Sequence, residues 1–355
     1  MPGSTPLPPT SRARRTPSRR PPLLIVSVGC PAGIGPEVSV KAAAELEQAR
    51  TVLVGDLRVL VRAARLVGVA PERLVPFSGE PLRKGQIGHV AAGPALSAAD
   101  FRGGHPSPAA GAAQLAYIEA AYALTKAAPG RALVTGPVSK AAVAHSGLRR
   151  ARKFLGHTEW LRDLDGARTS VMCFASEKLV TSLVTTHLPI SQVPGALNAG
   201  VVRDAIVELW HLLRGLGHAR PRLAVASLNP HAGESELLGN EERRAIVPGM
   251  EAARRELGPR ALVEGPIGAE TAYRKAYAGS YAGVVAMYHD QATIPMKLLA
   301  FGDAVNVTMG LSVVRTSVDH GTAYDIAGKG RADAAGMLAA LRLAGRLAAR
   351  GARAP

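Results

Sequence analysis

Three histidines stand directly after apolar runs that are typical of buried strands. His187 follows LVTSLVTT, His231 follows LAVASLNP, and His289 follows VVAMY. In an open α/β sheet, ligands bind outside the carboxyl ends of the strands, so strands that are distant in sequence can bring these imidazoles together. Neutral imidazoles suit a catalytic divalent metal that keeps open positions for substrate oxygens. The pattern predicts a metal site formed by His187, His231 and His289.

The alternative to this metal site is a structural role for each histidine. A single histidine is more often a hydrogen-bonded structural residue than a ligand. The sequence also contains neither a His-Glu-x-x-His helix nor paired Cys-x-x-Cys motifs, which are the local zinc signatures. The metal hypothesis therefore depends on the equivalent positions of the three histidines after their strands.

Cationic and glycine-rich positions cluster in the last quarter of the chain. Lys297, Asn306 and Arg315 are nine residues apart and separated by apolar stretches, and together they suit a phosphate or carboxylate. The segment DHGTAYDIAGKG (319–330) has glycines that allow close wrapping of a ligand, and Asp325 could accept hydrogen bonds from a ribose hydroxyl. Ordinary turn chemistry is the alternative for each of these features.

Two other loops have the composition of anion sites. GCPAGIGPE (29–37) leads from a strand into a helix, so its backbone N–H groups could bind an anion, or it could be a tight turn that packs helix on strand. It is not the Gly-x-Gly-x-x-Gly dinucleotide fingerprint. Lys140, at the end of TGPVSK, could bind an anion or be solvated.

The elements that must position these residues alternate between strands and helices, which predicts an α/β fold with a mostly parallel sheet covered on both faces. No internal repeat or linker is visible. The predicted strands are 23–28, 51–54, 132–135, 179–185, 222–227 and 283–287, and the predicted helices are 37–49, 57–67, 109–127, 201–216, 241–256 and 332–349.

Composition restricts the class of protein. The 355 residues are 47% apolar and 20% charged, as in globular proteins. Two cysteines, Cys30 and Cys173, cannot form a disulfide framework and indicate reduced thiols in a cytoplasmic protein. Residues 1–22 are rich in Pro, Arg and Ser and predict a disordered tail, since no apolar stretch follows the arginines as in a secretory signal. No run is long enough to span a membrane.

The net charge of +16 does not by itself favour nucleic acid as a partner. Five arginines of the tail account for part of it and leave +11 on the rest of the chain. Aromatic residues, which stack on bases, make up only 4%, and no zinc-finger or RNA-recognition signature occurs. The basic balance favours anionic substrates through electrostatic steering.

Many of these segments, taken in order, resemble the 4-hydroxythreonine-4-phosphate dehydrogenase family of pyridoxal phosphate biosynthesis. The resemblance extends from about Leu23 to about Leu347. It is carried by PAGIGPE (31–37), TGPVSK (135–140), GHTEWL (156–161), TTHLPI (185–190), LNPHAGE (228–234), GPIGAETAY (265–273), YHDQ (288–291) and VNVTMGLSVVRTSVDHGTAYDIAGKG (305–330).

This resemblance implies a fold like that of the isocitrate and isopropylmalate dehydrogenases, with two α/β domains flanking a cleft and a homodimer. Residues 23–350 would then hold two interleaved subdomains whose boundary the sequence does not locate. The resemblance also implies that the three histidines bind a divalent metal (Zn, Co or Mg) at the subunit interface. The implied substrate contacts are His157, Thr158, Lys297, Asn306 and Arg315. The implied cofactor contacts are Gly321, Thr322 and Asp325.

The implied reaction is metal-dependent oxidation of 4-phosphooxy-L-threonine by NAD or NADP, followed by decarboxylation to 3-amino-2-oxopropyl phosphate. Lys297 or a metal-bound water would take the hydroxyl proton. Two departures from the family pattern, Cys30 in place of Asp and Glu270 in place of Asp, leave the substrate open. The alternatives are a 4-phospho-D-threonate or 4-phospho-D-erythronate dehydrogenase of sugar-acid catabolism, and a relative that binds metal or anion without catalysis.

Overall fold

The computed structural model describes residues 21–46, 49–300 and 302–351. The predicted N-terminal tail, residues 1–22, therefore lies outside the described residues except for its last two. In the described part of the chain, no helix combines the length and the apolar character needed to cross a membrane.

The strands of the described residues form one twelve-stranded sheet, in the order β3-β4-β2-β1-β5-β12-β11-β6-β7-β10-β8-β9. Their apolar, β-branched composition explains why they form strands. The bounds are β1 (Leu23–Ser27), β2 (Arg50–Val54), β3 (Leu74–Pro76), β4 (Ile87–Val90), β5 (Arg131–Thr135), β6 (Val171–Ala175), β7 (Val180–Leu183), β8 (Arg222–Ala226), β9 (Leu262–Ile267), β10 (Gly283–Ala286), β11 (Val305–Met309) and β12 (Val314–Ser317).

The sheet is mostly parallel, which confirms the predicted α/β class. The antiparallel pairs among the described strands involve β6, β7, β11 and β12, in the middle of the sheet. Outside this group the neighbours run parallel, as in β1–β2, β1–β5 and β8–β10. Strands β1, β5 and β8 are buried over most of their length, as expected when helices cover both faces.

Among the described residues, six helices lie close to where the sequence predicts them, and five more were not predicted. The helices are α1 (Gly35–Glu45), α2 (Leu57–Leu66), α3 (Pro108–Lys126), α4 (Lys140–Ala144), α5 (His157–Asp165), α6 (Val193–Ala196), α7 (Ala199–Leu216), α8 (Val247–Leu257), α9 (Ala269–Tyr277), α10 (His289–Ala300) and α11 (Ala335–Ala349). Short 3₁₀ turns occur as well, and a π-helical turn, Glu242–Ile246, precedes α8.

Local sequence explains several helix boundaries. Ser107 caps α3 by accepting a hydrogen bond from Ala110 N, and Asn198 caps α7 through Val201 N. Gly217, with φ of 110°, ends α7 in the left-handed conformation that glycine adopts without steric cost. The helix predicted over 241–256 is observed as the π-helical turn followed by α8, so its first turn is wound differently from the expectation.

The chain path explains how distant segments reach one edge of the sheet. Strands β7, β10 and β8 are adjacent and parallel, so their carboxyl ends lie side by side. After β10 the chain crosses back through β11 and β12, and β12 pairs with β5. The early loops and the late segment 319–330 therefore meet. Division of residues 23–350 into two interleaved subdomains stays a prediction.

Candidate active site

Strand topology places the three predicted metal histidines at one edge of the sheet. His187 lies in the loop after β7, His231 in the turn after β8, and His289 opens α10 after β10. Because β10 lies between β7 and β8 and all three run parallel, the histidines follow neighbouring carboxyl ends.

Two of these imidazoles are in contact range. The ring centroids of His187 and His289 are 5.6 Å apart. His289 Nδ1 donates to the Asp290 carboxylate at 2.7 Å, which orients the ring and leaves Nε2 as the nitrogen available to a metal. Within a single chain, the described residues contain no group of three or more His, Cys, Asp or Glu side chains placed to hold a metal ion. The structure thus brings together two of the three predicted ligands.

His231 is presented on an exposed, conformationally unusual loop. It and the following residue have left-handed backbones, with φ of 52° and 54°, which non-glycine residues rarely adopt. The buried Glu242 carboxylate holds the base of this loop by accepting hydrogen bonds from Leu228 N at 2.9 Å and Asn229 N at 2.8 Å. The loop is therefore fixed at its base, while His231 itself is exposed.

A buried guanidinium lies near the middle of the sheet. Arg315 on β12 is only 2% exposed, and it donates to the hydroxyls of Thr308 on β11 and Thr135 on β5, each at 2.7 Å. Burial lowers the pKa of Arg315 to about 10, and the negative charge of Glu159 acts against this shift. Both partners are neutral hydroxyls, so the charge is left for an anion to neutralise.

Three polar atoms around this charge are buried and lack a hydrogen-bond partner among the described residues: Arg315 Nε, His157 Nε2 and Asn306 Oδ1. His157 is the first residue of α5, and Asn306 lies two residues before Thr308 on β11, so it shares the face of the sheet to which Arg315 belongs. Buried polar groups are normally paired, so this group indicates a ligand site.

The positive charge around His157 disfavours its protonation. Its pKa lies well below the usual range, first because the imidazole is buried and then because Arg315 and Lys140 are close. Thr158, the other predicted contact here, is the second residue of α5, whose first turn has no side-chain cap. The free N–H groups at the start of this helix add to the attraction for an anion.

Lys297 lies on α10, the helix that His289 opens, with its Nζ 4.0 Å from Asp319 Oδ2. Burial raises the pKa of Asp319, and the positive charges of Lys297, His289 and His320 oppose this rise. Asp319 is therefore close to both Lys297 and His289. The sequence analysis did not select Asp319, although it follows β12 as the histidines follow their strands.

Lys140 and Glu159 connect the guanidinium region with the histidine pair. The pKa of His187 is lowered by burial and by the charges of Lys140 and His289, whereas Glu159 raises it. The same Lys140 acts on His157 and the same Glu159 on Arg315. The predicted metal and anion residues thus belong to one electrostatically linked site, although sequence alone left the role of Lys140 open and gave no role to Glu159.

The predicted cofactor residues lie in a segment that packs on the first loop. Thr322 O accepts a hydrogen bond from Ile34 N at 3.0 Å. Asp325 and Gly321 are exposed, and the Asp325 backbone carbonyl accepts from Lys329 Nζ at 2.7 Å. Ile34 N is thus occupied, and the first loop packs against the segment 319–330 at this point. The two alternatives for this loop, an anion site and a turn that packs helix on strand, stay predictions.

The comparisons with known proteins identify the family of this chain. The family model described as pyridoxal phosphate biosynthetic protein PdxA matches residues 47–344. The chain belongs to this family. The resemblance to 4-hydroxythreonine-4-phosphate dehydrogenases is thereby confirmed.

Individual members of the PdxA family are similar over almost their whole length. A 4-hydroxythreonine-4-phosphate dehydrogenase of Desulfosudis oleivorans is 42% identical, covering 91% of this chain and 95% of the relative. A D-threonate 4-phosphate dehydrogenase of Cupriavidus necator is 40% identical, with 93% and 98% covered. The crystal structure of 4-hydroxythreonine-4-phosphate dehydrogenase from Klebsiella pneumoniae has a TM-score of 0.79 at 35% identity, covering 93% and 100%.

The two departures from the PdxA pattern differ in their environments. Cys30 is fully buried, its Sγ is 3.4 Å from the Tyr324 hydroxyl, and burial raises the pKa of the thiol. Glu270 is in the first turn of α9, with a side chain that is 80% exposed and 3.7 Å from Arg274 Nε. Cys30 is therefore built into the packing beside the segment 319–330, whereas Glu270 is at the surface.

The buried imidazole of His157 should make the stability of the fold depend on pH. The unfolded pKa of histidine is about 6.5 and that of folded His157 is lower, so below pH 6.5 the unfolded chain binds more protons. As the pH decreases below 6.5, the free energy of unfolding should therefore fall by up to about 1.4 kcal/mol per pH unit because of this group alone. His157→Gln should flatten the decline in the free energy of unfolding between pH 7.5 and 5.5, measured by urea titration.

The matched control is His218→Gln, since His218 is an exposed histidine. It should keep the wild-type decline. If His157→Gln and His218→Gln show the same dependence on pH, burial of His157 does not penalise its protonation and the description of the anion site is wrong.

Proposed function

We propose that this protein oxidises 4-phosphooxy-L-threonine at its hydroxyl-bearing carbon with NAD or NADP, after which decarboxylation yields 3-amino-2-oxopropyl phosphate for pyridoxal phosphate biosynthesis. The observation that carries the proposal is the buried guanidinium of Arg315, which has neutral partners and lies among unpartnered polar atoms. Such a site suits a phosphate dianion. The names of the relatives in the PdxA family support the same substrate.

The phosphate would be bound by groups from three elements. Arg315 supplies a fixed charge and a free Nε–H, and His157 would donate from Nε2. Asn306 would bind the phosphate through its amide Nδ2–H, because its Oδ1 is an acceptor like the phosphate oxygens. The start of α5, at His157 and Thr158, supplies free backbone N–H groups. An arginine held by two hydroxyls is pre-oriented, so little further side-chain freedom is lost when the anion binds.

The metal residues in the proposal are His187, His231 and His289. Their imidazoles fit zinc or cobalt, and magnesium, which prefers oxygen ligands, would use fewer of them. The fit is supported by the orientation of His289 through Asp290 and by its proximity to His187. A divalent cation held there would act as a Lewis acid toward the oxygens of the substrate.

We further propose that His231 completes the site of a second subunit in a homodimer. His231 is on an exposed loop, and the described residues of one chain do not bring a third ligand to the His187–His289 pair. Large apolar side chains are exposed on the segments next to the three histidines, and a second copy would cover them: Leu188, Ile190, Leu237, Leu238, Ile294 and Leu298.

Lys297 is the proposed acid–base residue. Its ammonium group is 4.0 Å from Asp319, which is also close to His289. A neutral Lys297 could accept the proton of the substrate hydroxyl, and Asp319 keeps the lysine in place. The cofactor, NAD or NADP, would be bound by Gly321, Thr322 and Asp325, where an exposed carboxylate is available for a ribose hydroxyl. Two buried free thiols accord with a cytoplasmic location, which is part of the proposal.

A specific observation favours a second candidate function. The Cupriavidus necator relative named as a D-threonate 4-phosphate dehydrogenase is as similar to this chain as several of the 4-hydroxythreonine-4-phosphate dehydrogenases. Both substrates carry a phosphate, which the Arg315 site would bind. Cys30, which replaces the Asp of the family pattern, lies beside Tyr324 in the segment 319–330 and does not favour either substrate.

A substrate panel tests the proposed function. NADH and NADPH formation would be followed with 4-phosphooxy-L-threonine, 4-phospho-D-threonate and 4-phospho-D-erythronate, before and after chelation of metal. We expect the highest kcat/KM with 4-phosphooxy-L-threonine, loss of turnover after chelation, and 3-amino-2-oxopropyl phosphate as the product. At least about tenfold higher kcat/KM with either sugar-acid phosphate would establish the second function instead.

A complementation experiment tests the shared metal site. His289→Ala and His231→Ala should each abolish metal-dependent turnover while the fold is retained. When the two inactive variants are refolded together, half of the dimers should be mixed and each mixed dimer has one intact site, so about a quarter of wild-type activity should return.

The control is a mixture of His289→Ala with His187→Ala, which should stay inactive because both residues belong to the same side of the site. Mixed dimers would be verified by pull-down through two different tags. Mixed dimers of His289→Ala and His231→Ala without activity would contradict a site that is shared between subunits.

A further inference from the structure

We propose that Glu37 is a positioning residue that holds the segment 319–330 in the shape required for cofactor binding. Glu37 lies in the first turn of α1, at the end of the GCPAGIGPE loop. It has no contact with the predicted metal or anion residues, so the account of the site above gives it no role. The inference rests on the proposed function, because it assumes that this segment binds NAD or NADP.

The Glu37 carboxylate binds two backbone groups of the distant segment. Oε1 accepts a hydrogen bond from Gly328 N at 2.6 Å, and Oε2 accepts one from Gly330 N at 3.0 Å. Glu37 is only 4% exposed. A buried carboxylate with both oxygens hydrogen-bonded makes short, charge-assisted bonds, which are about twice as strong as neutral ones. An unpartnered carboxylate at this position would be strongly destabilising.

The backbone of the segment is shaped to fit this carboxylate. Gly328 and Gly330 have φ of 79° and 65°, so their two N–H groups converge on one acceptor group. A Cβ atom at Gly330 would be 2.6 Å from Leu66 O, so only glycine fits there. The turn at Gly328 and Gly330 and the Glu37 carboxylate thus stabilise each other, although 291 or more residues separate them in sequence.

Two further contacts hold the other end of the segment on the same loop. Ile34 N donates to Thr322 O at 3.0 Å, and Cys30 Sγ is 3.4 Å from the Tyr324 hydroxyl. The segment is therefore fixed at both ends, and Asp325 is exposed between them. A loop that is ordered before the ligand arrives avoids the entropy cost of ordering during binding, so Glu37 would act on cofactor affinity rather than on the chemical step.

The test is Glu37→Gln, which keeps the shape of the side chain but can accept only one of the two N–H groups. NADH and NADPH affinities would be measured by fluorescence titration, together with steady-state constants. Loss of one charge-assisted hydrogen bond should raise the cofactor Kd and KM about tenfold, while kcat and the KM of the phosphorylated substrate change by less than about twofold. Glu45→Gln, an exposed acid on the same helix, should leave all values unchanged.

Hydrogen exchange provides a readout that does not depend on catalysis. In the cofactor-free protein, Glu37→Gln should increase exchange in peptides covering residues 321–330 and leave the peptides of β1 and β5 unchanged. If wild-type protein binds neither NADH nor NADPH, the proposed function fails, and the exchange data alone still test the anchor. Should Glu37→Gln not fold, Tyr324→Phe tests the opposite end of the segment, with a smaller rise in cofactor Kd expected.

The proposal is overturned if folded Glu37→Gln keeps the wild-type cofactor Kd and wild-type exchange in 321–330. It is also overturned if kcat falls while the cofactor KM is unchanged, because a positioning residue for the cofactor segment should act on binding. For Tyr324→Phe, an unchanged cofactor Kd would count against the proposal in the same way.

Discussion

The constraint on which the rest of the site depends is a buried positive charge to which no acid among the described residues is hydrogen-bonded. Arg315 is held by the hydroxyls of Thr135 and Thr308, which fix its direction but do not neutralise it. Keeping such a charge out of water is costly unless an anion binds. Burial lowers the pKa of the His157 imidazole, and the charge of Arg315 lowers it further. Anion binding, histidine protonation and the arrangement of three strands are thus coupled at one residue.

The topology of the sheet explains why this charge lies beside a histidine pair. The chain leaves the first group of parallel strands after β5, forms β6 to β10, and returns through β11 and β12 to pair again with β5. Arg315 and Asn306 arrive on the returning strands, and His187 and His289 follow β7 and β10. After β12, the segment 319–330 lies against the GCPAGIGPE loop, where Glu37 accepts hydrogen bonds from its backbone.

Sequence reasoning predicted the histidine positions because strand exits are encoded locally, by an apolar run that ends at a polar residue. It predicted six of the eleven helices in the described residues for the same reason, and it missed the other five. The nine-residue spacing of Asn306 and Arg315 is explained by the antiparallel pair β11–β12, which the sequence analysis had not assigned as strands. Burial of His157, the Lys297–Asp319 pair and the Glu37 anchor depend on contacts between distant segments, and one sequence without relatives carries no signal for them.

The central claim is that the Arg315 site binds the phosphate of the substrate, and a comparison of 4-phosphooxy-L-threonine with unphosphorylated 4-hydroxy-L-threonine tests it most directly. Each charge-assisted hydrogen bond to the phosphate contributes about 1.5–3 kcal/mol, so two or more of them predict at least about a hundredfold higher kcat/KM for the phosphorylated compound. The same kcat/KM for both compounds, within about threefold, would contradict the assignment of Arg315, His157 and Asn306 to the phosphate.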